Sequence, residues 1–236
     1  MISALTGTQT MGPKTDDHGW GSESKPRSGH SGRFGIDKIL KEVRRGDLNA
    51  VKRHLKRDPS LLLAKSGGHN RTFLWEATRG NRINVVRFLL KAGADPNVPG
   101  RTRAEIPVLL KPYCIARRYR RLEIADMLIK AGSVMDIYSA CYLGDADRVK
   151  QCLQPDPRLL TEEQDDDSVW RVTPLHYAVT GGHEQLVRWL IRKGALVKPY
   201  TRLLCDAAVR MKHAHLLPVL EEGGADPDLL KSWGED

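Results

Sequence analysis

The run Arg117-Arg118-Tyr119-Arg120-Arg121 is the part of this chain best equipped to recognise a charged ligand. A guanidinium fork binds carboxylate or phosphate through paired hydrogen bonds and stacks on aromatic faces, so arginines beside a tyrosine suit anionic and aromatic contacts. On a solvated helix edge the same side chains would snorkel and pair with Glu123 or Asp126. A second cluster, Glu162 and Glu163 with Asp165-Asp166-Asp167, lacks the spaced ligands and turn glycine of a calcium loop and reads as a solvated acidic loop. His213 and His215 read as solvated members of an exposed turn. Cys114, Cys141, Cys152 and Cys205 stand singly, without the pairing of a thiolate zinc site, and are expected to be reduced and mostly buried. There is no phosphate-binding loop, H-E-x-x-H, G-x-S-x-G or dinucleotide fingerprint, so the expectation is a non-enzyme with no cofactor and no metal.

Charge is segregated along the chain. Residues 36–135 hold 22 Lys and Arg against 9 Asp and Glu, whereas residues 136–236 hold 12 against 17. Solubility alone gives no reason for such a division, and a polar, oriented partner does. With 40% apolar and 28% charged residues in 236 positions the chain can bury a core. Only 3 Phe, 6 Tyr and 5 Trp argue against an aromatic-rich β-sandwich. No apolar run approaches the roughly 18 residues of a membrane span, and Met1 to Thr8 has neither the basic start nor the apolar stretch of a secretory signal, so a cytoplasmic location is expected.

The elements that must position the arginines follow from periodicity. Residues 1–33, rich in Gly, Ser, Thr and charges, are expected to be a disordered tail, because they cannot bury enough surface to offset their ordering entropy. From residue 34 to 236 apolar residues recur at helical spacing, as in Ile36, Ile39, Leu40 and Val43. The chain also repeats itself. Gly46-Asp47 with Val51, Leu55 and Asp58-Pro59 returns 98 positions later as Gly144-Asp145 with Val149, Leu153 and a second Asp-Pro. Val85 to Leu90 with Gly93-Ala94 returns 101 positions later as Leu186 to Ile191 with Gly194-Ala195. Two blocks of about a hundred residues, each of about three helix–turn–helix units, account for this. In the clearest unit Thr173 is expected to cap a helix opened by Pro174, Gly181-Gly182-His183 turns the chain, and Gly194 ends the second helix in the left-handed region.

Thr173-Pro174-Leu175-His176-Tyr177-Ala178, Gly182-His183 and Gly194-Ala195 closely resemble the ankyrin repeat, as does Leu90-Lys91-Ala92-Gly93-Ala94-Asp95. The resemblance implies an all-α solenoid of stacked helix pairs with loop or short hairpin tips. Aligned on the family's turn position, Gly46, Asn81, Arg120, Gly144, Gly182 and Lys212 mark six units, approximately 36–62, 71–97, 105–134, 136–160, 171–197 and 202–228. The third departs most, with Lys111-Pro112-Tyr113-Cys114 in place of the Thr-Pro-Leu-His run. The resemblance also implies that His176 and His183 make structural hydrogen bonds between neighbouring turns.

In this family the two positions before the turn glycine line the concave surface. Here they are Arg44 and Arg45, Arg79 and Gly80, Arg118 and Tyr119, Tyr142 and Leu143, Thr180 and Gly181, and Arg210 and Met211. The expected partner-binding residues are therefore Arg44, Arg45, Arg79, Arg118, Tyr119, Tyr142, Leu143 and Arg210. The leading expectation is a monomeric scaffold that binds another protein, with an acidic segment of that partner facing units one to three. The alternative is nucleic-acid binding by the basic half, with Tyr119 or Tyr142 stacking on a base, although the acidic half would repel a long polyanion. A third reading, an enzyme gripping a phosphorylated substrate, lacks a positioned base or nucleophile.

Overall fold

The computed structural model describes residues 30–67, 69–102, 108–164 and 171–231. Six helix pairs follow one another: α1 (His30–Arg45) with α2 (Leu48–Arg57), α3 (Phe73–Arg79) with α4 (Ile83–Lys91), α5 (Pro112–Arg118) with α6 (Leu122–Lys130), α7 (Ile137–Leu143) with α8 (Ala146–Leu153), α9 (Pro174–Gly181) with α10 (Glu184–Arg192), and α11 (Thr201–Arg210) with α12 (Leu217–Glu222). A last short helix, α13 (Pro227–Lys231), follows. Among the described residues the one sheet is a two-stranded antiparallel hairpin, β1 (Gly100–Arg101) with β2 (Leu109–Leu110). The fold is the expected all-α solenoid. Helix α1 begins at His30, inside the segment expected to be disordered, and the rest of that expectation, residues 1–29, lies outside the described residues. The acidic run Asp165-Asp166-Asp167 lies outside them too.

The six turn positions given by alignment on the ankyrin turn are the six places where a first helix gives way to a second through a left-handed residue. Gly46, Asn81, Arg120, Gly144, Gly182 and Lys212 have φ of 84, 56, 53, 73, 78 and 63°. Glycine suits that region, and the three substituted positions carry backbone strain. Second helices of units two, three, five and six stop at Gly93, Gly132, Gly194 and Gly224, also left-handed. Units one and four stop differently. In each an Asp-Pro step opens a 3-10 turn, Pro59–Leu63 or Pro157–Leu160, whose first amide is capped by Asp58 or Asp156. The two-block duplication is thus visible in the chain's geometry.

First helices α1, α3, α5, α7, α9 and α11 pack in one row, with α2, α4 and α6 alongside in a second. Small residues keep the first row close: Ala77, Ala116, Ala140, Ala178 and Ala208 are all fully buried. The core forms two clusters. One joins units one to three around Leu40, Phe73, Leu89 and Leu128. The other joins units four to six around Tyr177, Leu175, Leu190 and Leu204 and takes in Val108, Leu110, Cys114 and Ile115 of unit three. Trp75 reaches from unit two into the second cluster, and its indole N–H donates to the Leu110 carbonyl at 2.8 Å. Thr173 occupies the cap position before α9, but its hydroxyl makes no cap hydrogen bond; the extended Thr173 backbone and the fixed φ of Pro174 set the start of that helix instead. Thr72 does cap α3, accepting from the Trp75 amide at 3.2 Å.

Candidate functional site

The residue just after each left-handed turn determines how neighbouring units are tied. Arg82 donates through Nε to the Arg44 carbonyl at 2.6 Å. Arg121 donates to the Thr78 and Arg79 carbonyls of the unit before it. His183 Nε2 lies 2.9 Å from the Tyr142 carbonyl, and His213 is hydrogen bonded to the Thr180 backbone. Each side chain reaches back across one junction to the position two residues before the previous turn. The turn glycines leave the room: a Cβ on Gly144 would stand 2.5 Å from the His183 ring, and one on Gly182 would stand 2.5 Å from that of His213. At the junction of units three and four the equivalent residue is Asp145, which has no side-chain donor and instead caps its own helix, accepting from the Arg148 amide at 3.0 Å.

Two expectations about histidine change here. His183 makes the inter-unit bond, but His176 does not. It is wholly buried with neither ring nitrogen hydrogen bonded among the described residues, and burial pushes its pKa down to about 3, so it is a neutral ring packed edge-on to Tyr177. His213 is not a solvated turn residue, since it is half-buried in the junction with unit five, and its pKa is lowered first by burial and then by the nearby His215, His183 and Arg118.

The positions before the turns converge on one pocket of about 200 Å³. Arg79 comes to it from unit two, Arg118 and Tyr119 from unit three, Tyr142 from unit four, Thr180 from unit five and Met211 from unit six. Helix pairs packed about 10 Å apart would put units two and six about 40 Å from each other in a straight stack. Their meeting at one pocket puts the first-helix row on the concave side of the stack. Of the other expected residues, Arg45 is exposed, Leu143 is half-buried, and Arg210 is bound to Asp206 at 2.5 Å; none of the three lines the pocket.

Arg44 is engaged elsewhere. Its fork grips Glu76 with bonds of 3.0 and 2.9 Å, and Glu76 is completely buried. Arg71, 1% exposed, also donates to Glu76 at 3.2 Å, and Arg79 lies 3.9 Å from the same carboxylate. Burial alone would raise the Glu76 pKa, but the hydrogen bonds and charges of Arg44 and Arg71 outweigh it and hold the group below its ordinary value. One carboxylate therefore organises three arginines.

Arg118 donates to the Tyr142 hydroxyl and stands 5.4 Å from the centre of that ring, while Arg121 stands 5.0 Å from that of Tyr119. The Tyr142 phenol is pushed up to about 12, chiefly by burial, so it is protonated at neutral pH. Neither Glu123 nor Asp126 pairs with the 117–121 run; Glu123 is held by Arg87 at 3.0 Å.

The sequence reading missed the far wall of this pocket. Arg71 lies 4.3 Å from the Trp75 ring centre and donates through Nε to the Arg101 carbonyl at 2.6 Å. That bond and the Trp75 indole bond hold the β1–β2 hairpin in place, which brings Thr102, Val108 and Leu110 to the pocket. An acidic residue in a short helix between apolar neighbours, Trp75-Glu76-Ala77, was the available signal for the arginine cluster. The cysteines are free, and burial pushes Cys114 up to about 12 and Cys205 to about 11, which keeps them as unreactive thiols. No group of three or more His, Cys, Asp or Glu suited to a metal occurs among the described residues, and none of their helices is long and apolar enough to cross a membrane.

Six stacked helix pairs joined through left-handed turns define a helical-repeat solenoid. Residues 137–230 match the family model for ankyrin repeats in three copies, residues 69–101 match that for a single ankyrin repeat, and the chain belongs to the ankyrin-repeat family. Such repeats are generally protein–protein interaction modules, and proteins built from them are typically non-catalytic.

Proposed function

We propose that this protein is a non-catalytic recognition module that binds an acidic segment of a partner protein along the inner row of units one to three. The observation that supports the reading is that Arg44, Arg79 and Arg118 occupy the equivalent position, two residues before the turn, in three successive units. Arg45 lies next to the first of them, and Arg44 and Arg71 already bind a carboxylate, Glu76, there. Charge-assisted bonds from preset forks contribute about 1.5–3 kcal/mol each when desolvated and much less when exposed. Arg44 belongs to the scaffold in this reading, because reversing its charge would set two carboxylates together in the core.

The test is affinity capture from the native host with the triple variant Arg45→Glu, Arg79→Gln, Arg118→Gln, which sets no new carboxylate beside Glu76, against a control with Lys56→Glu and Lys130→Glu on exposed sites of second helices. The triple variant is expected to lose its partner with its circular dichroism unchanged, and the control to retain it. Capture unaffected by the triple variant, or dominated by single-stranded RNA with a steep salt dependence, overturns the reading.

A further inference from the structure

We infer that the pocket at the centre of the inner row is an anchor site for one carboxylate side chain of the partner, with the neighbouring apolar residue of that partner resting on Tyr119 and Met211. The inference rests on the proposed acidic partner and names which group of it is gripped hardest.

The size of the pocket selects the occupant. At about 200 Å³ it falls below the 300–1,000 Å³ of clefts that take drug-sized ligands or cofactors, and it suits a single side chain. Its chemistry is divided. On one side stand the guanidinium groups of Arg71, Arg79 and Arg118. Arg71 is fixed before any ligand arrives, by Trp75 at 4.3 Å, the Arg101 carbonyl at 2.6 Å and Glu76 at 3.2 Å, so little ordering entropy remains to be lost on binding. Beside them the Thr102 hydroxyl is buried with no hydrogen-bond partner among the described residues, which leaves it open to a ligand oxygen.

The other side is apolar, from Val108, Leu110 and Ile115. The cost of removing an ion from water rises with the square of its charge, so a half-apolar pocket favours a carboxylate over a phosphate dianion. At the mouth Tyr119 is 50% exposed and Met211 half-buried, an apolar ledge for the residue adjoining the carboxylate.

The experiment uses the full chain and small probes, followed by the NMR signals of the Trp75 indole N–H and the Tyr119 and Tyr142 rings. N-acetyl-glutamyl-leucine amide should give saturable shifts at millimolar concentration. The glutaminyl-leucine and glutamyl-alanine analogues should bind at least tenfold and several-fold more weakly, and inorganic phosphate more weakly than the glutamyl-leucine probe. Arg118→Gln and Thr102→Val should each reduce the response, Arg118→Gln by tenfold or more, with melting temperature close to wild type.

Equal binding of the glutamyl and glutaminyl probes, tighter binding of phosphate, or no saturable shift overturns the anchor. Poly-glutamate binding, measured in parallel, separates the two levels. If poly-glutamate binds, and does so through Arg45, Arg79 and Arg118, while the dipeptide fails, only the anchor falls. If poly-glutamate also fails, the acidic-partner reading falls with it.

Discussion

Arg120 and Lys212 hold φ of 53 and 63° in turns where units one, four and five use glycine. A side chain in the left-handed region costs about 1–2 kcal/mol, and glycine returns part of that through its larger unfolded-state entropy. Arg120→Gly and Lys212→Gly are therefore expected to stabilise the fold by about 0.5–1 kcal/mol each, read as a rise in the urea midpoint. The reverse change depends on what lies beside the turn. Gly194→Ala meets nothing within 4 Å, whereas the Cβ of Gly144→Ala would stand 2.5 Å from the His183 ring, so the second variant is expected to lose clearly more stability than the first. Buried His176 gives a pH signature. Its folded pKa of about 3 lies below the ordinary 6.5, so as pH falls from 6.5 the unfolded chain takes up a proton that the folded chain refuses. Stability contributed above pH 6.5 is lost progressively down to pH 3, at about 1.4 kcal/mol per unit, or about 2 kcal/mol by pH 5. Glu76 acts in a lower window, below its ordinary 4.5, where protonation removes its hold on Arg44 and Arg71. His176→Leu is expected to flatten the pH dependence of the unfolding midpoint between 7.5 and 5, leaving the part owed to His213, whose pKa is lowered too.

Between elements, stability depends on small residues in the inner row and on the side chains that reach back across each junction. Ala178 has no exposed surface, and Ala178→Leu is expected to overpack α7 against α9 and cost about 1–3 kcal/mol in chemical unfolding. Much of this arrangement was legible in the sequence. Alignment on the ankyrin turn position marks a left-handed residue whatever side chain stands there, so the register of all six units survived an Arg and a Lys in glycine's place. The pairing of Arg44 with Glu76 was not legible. It joins residues 32 apart across two units, and nothing local says that an acid in α3 will be buried and paired with three arginines. The hairpin wall was hidden for the same reason. Thr102, Val108 and Leu110 are placed by the Trp75 indole and the Arg71 guanidinium from another element, and loop docking of that kind leaves no periodicity to read.

At the scale of the whole molecule, the basic half supplies Arg71, Arg79 and Arg118, and the acidic half supplies Tyr142, Thr180 and Met211, so the stack closes one pocket from both halves of the chain. The duplication has a structural consequence at the same place. Four of the five junctions are tied by Arg82, Arg121, His183 and His213 reaching back to the preceding turn. At the remaining one the second block begins, and Asp145, like Asp47 at the start of the first, attends only to its own helix. That seam is crossed instead by the bond from Arg118 to the Tyr142 hydroxyl, by Lys111 paired with Asp136 at 2.7 Å, by the Leu109 amide donating to the Tyr177 hydroxyl at 3.0 Å, and by Leu110, Cys114 and Ile115 packed into the second core cluster. The seam between the blocks is thus held by core packing, an ion pair and side-chain bonds of its own, and the pocket lies beside it. A side chain lodged between Arg79 and Arg118 on one side and Tyr142 and Met211 on the other would touch both copies of the ancestral block at once, so its recognition would belong to the duplicated pair and to neither copy alone.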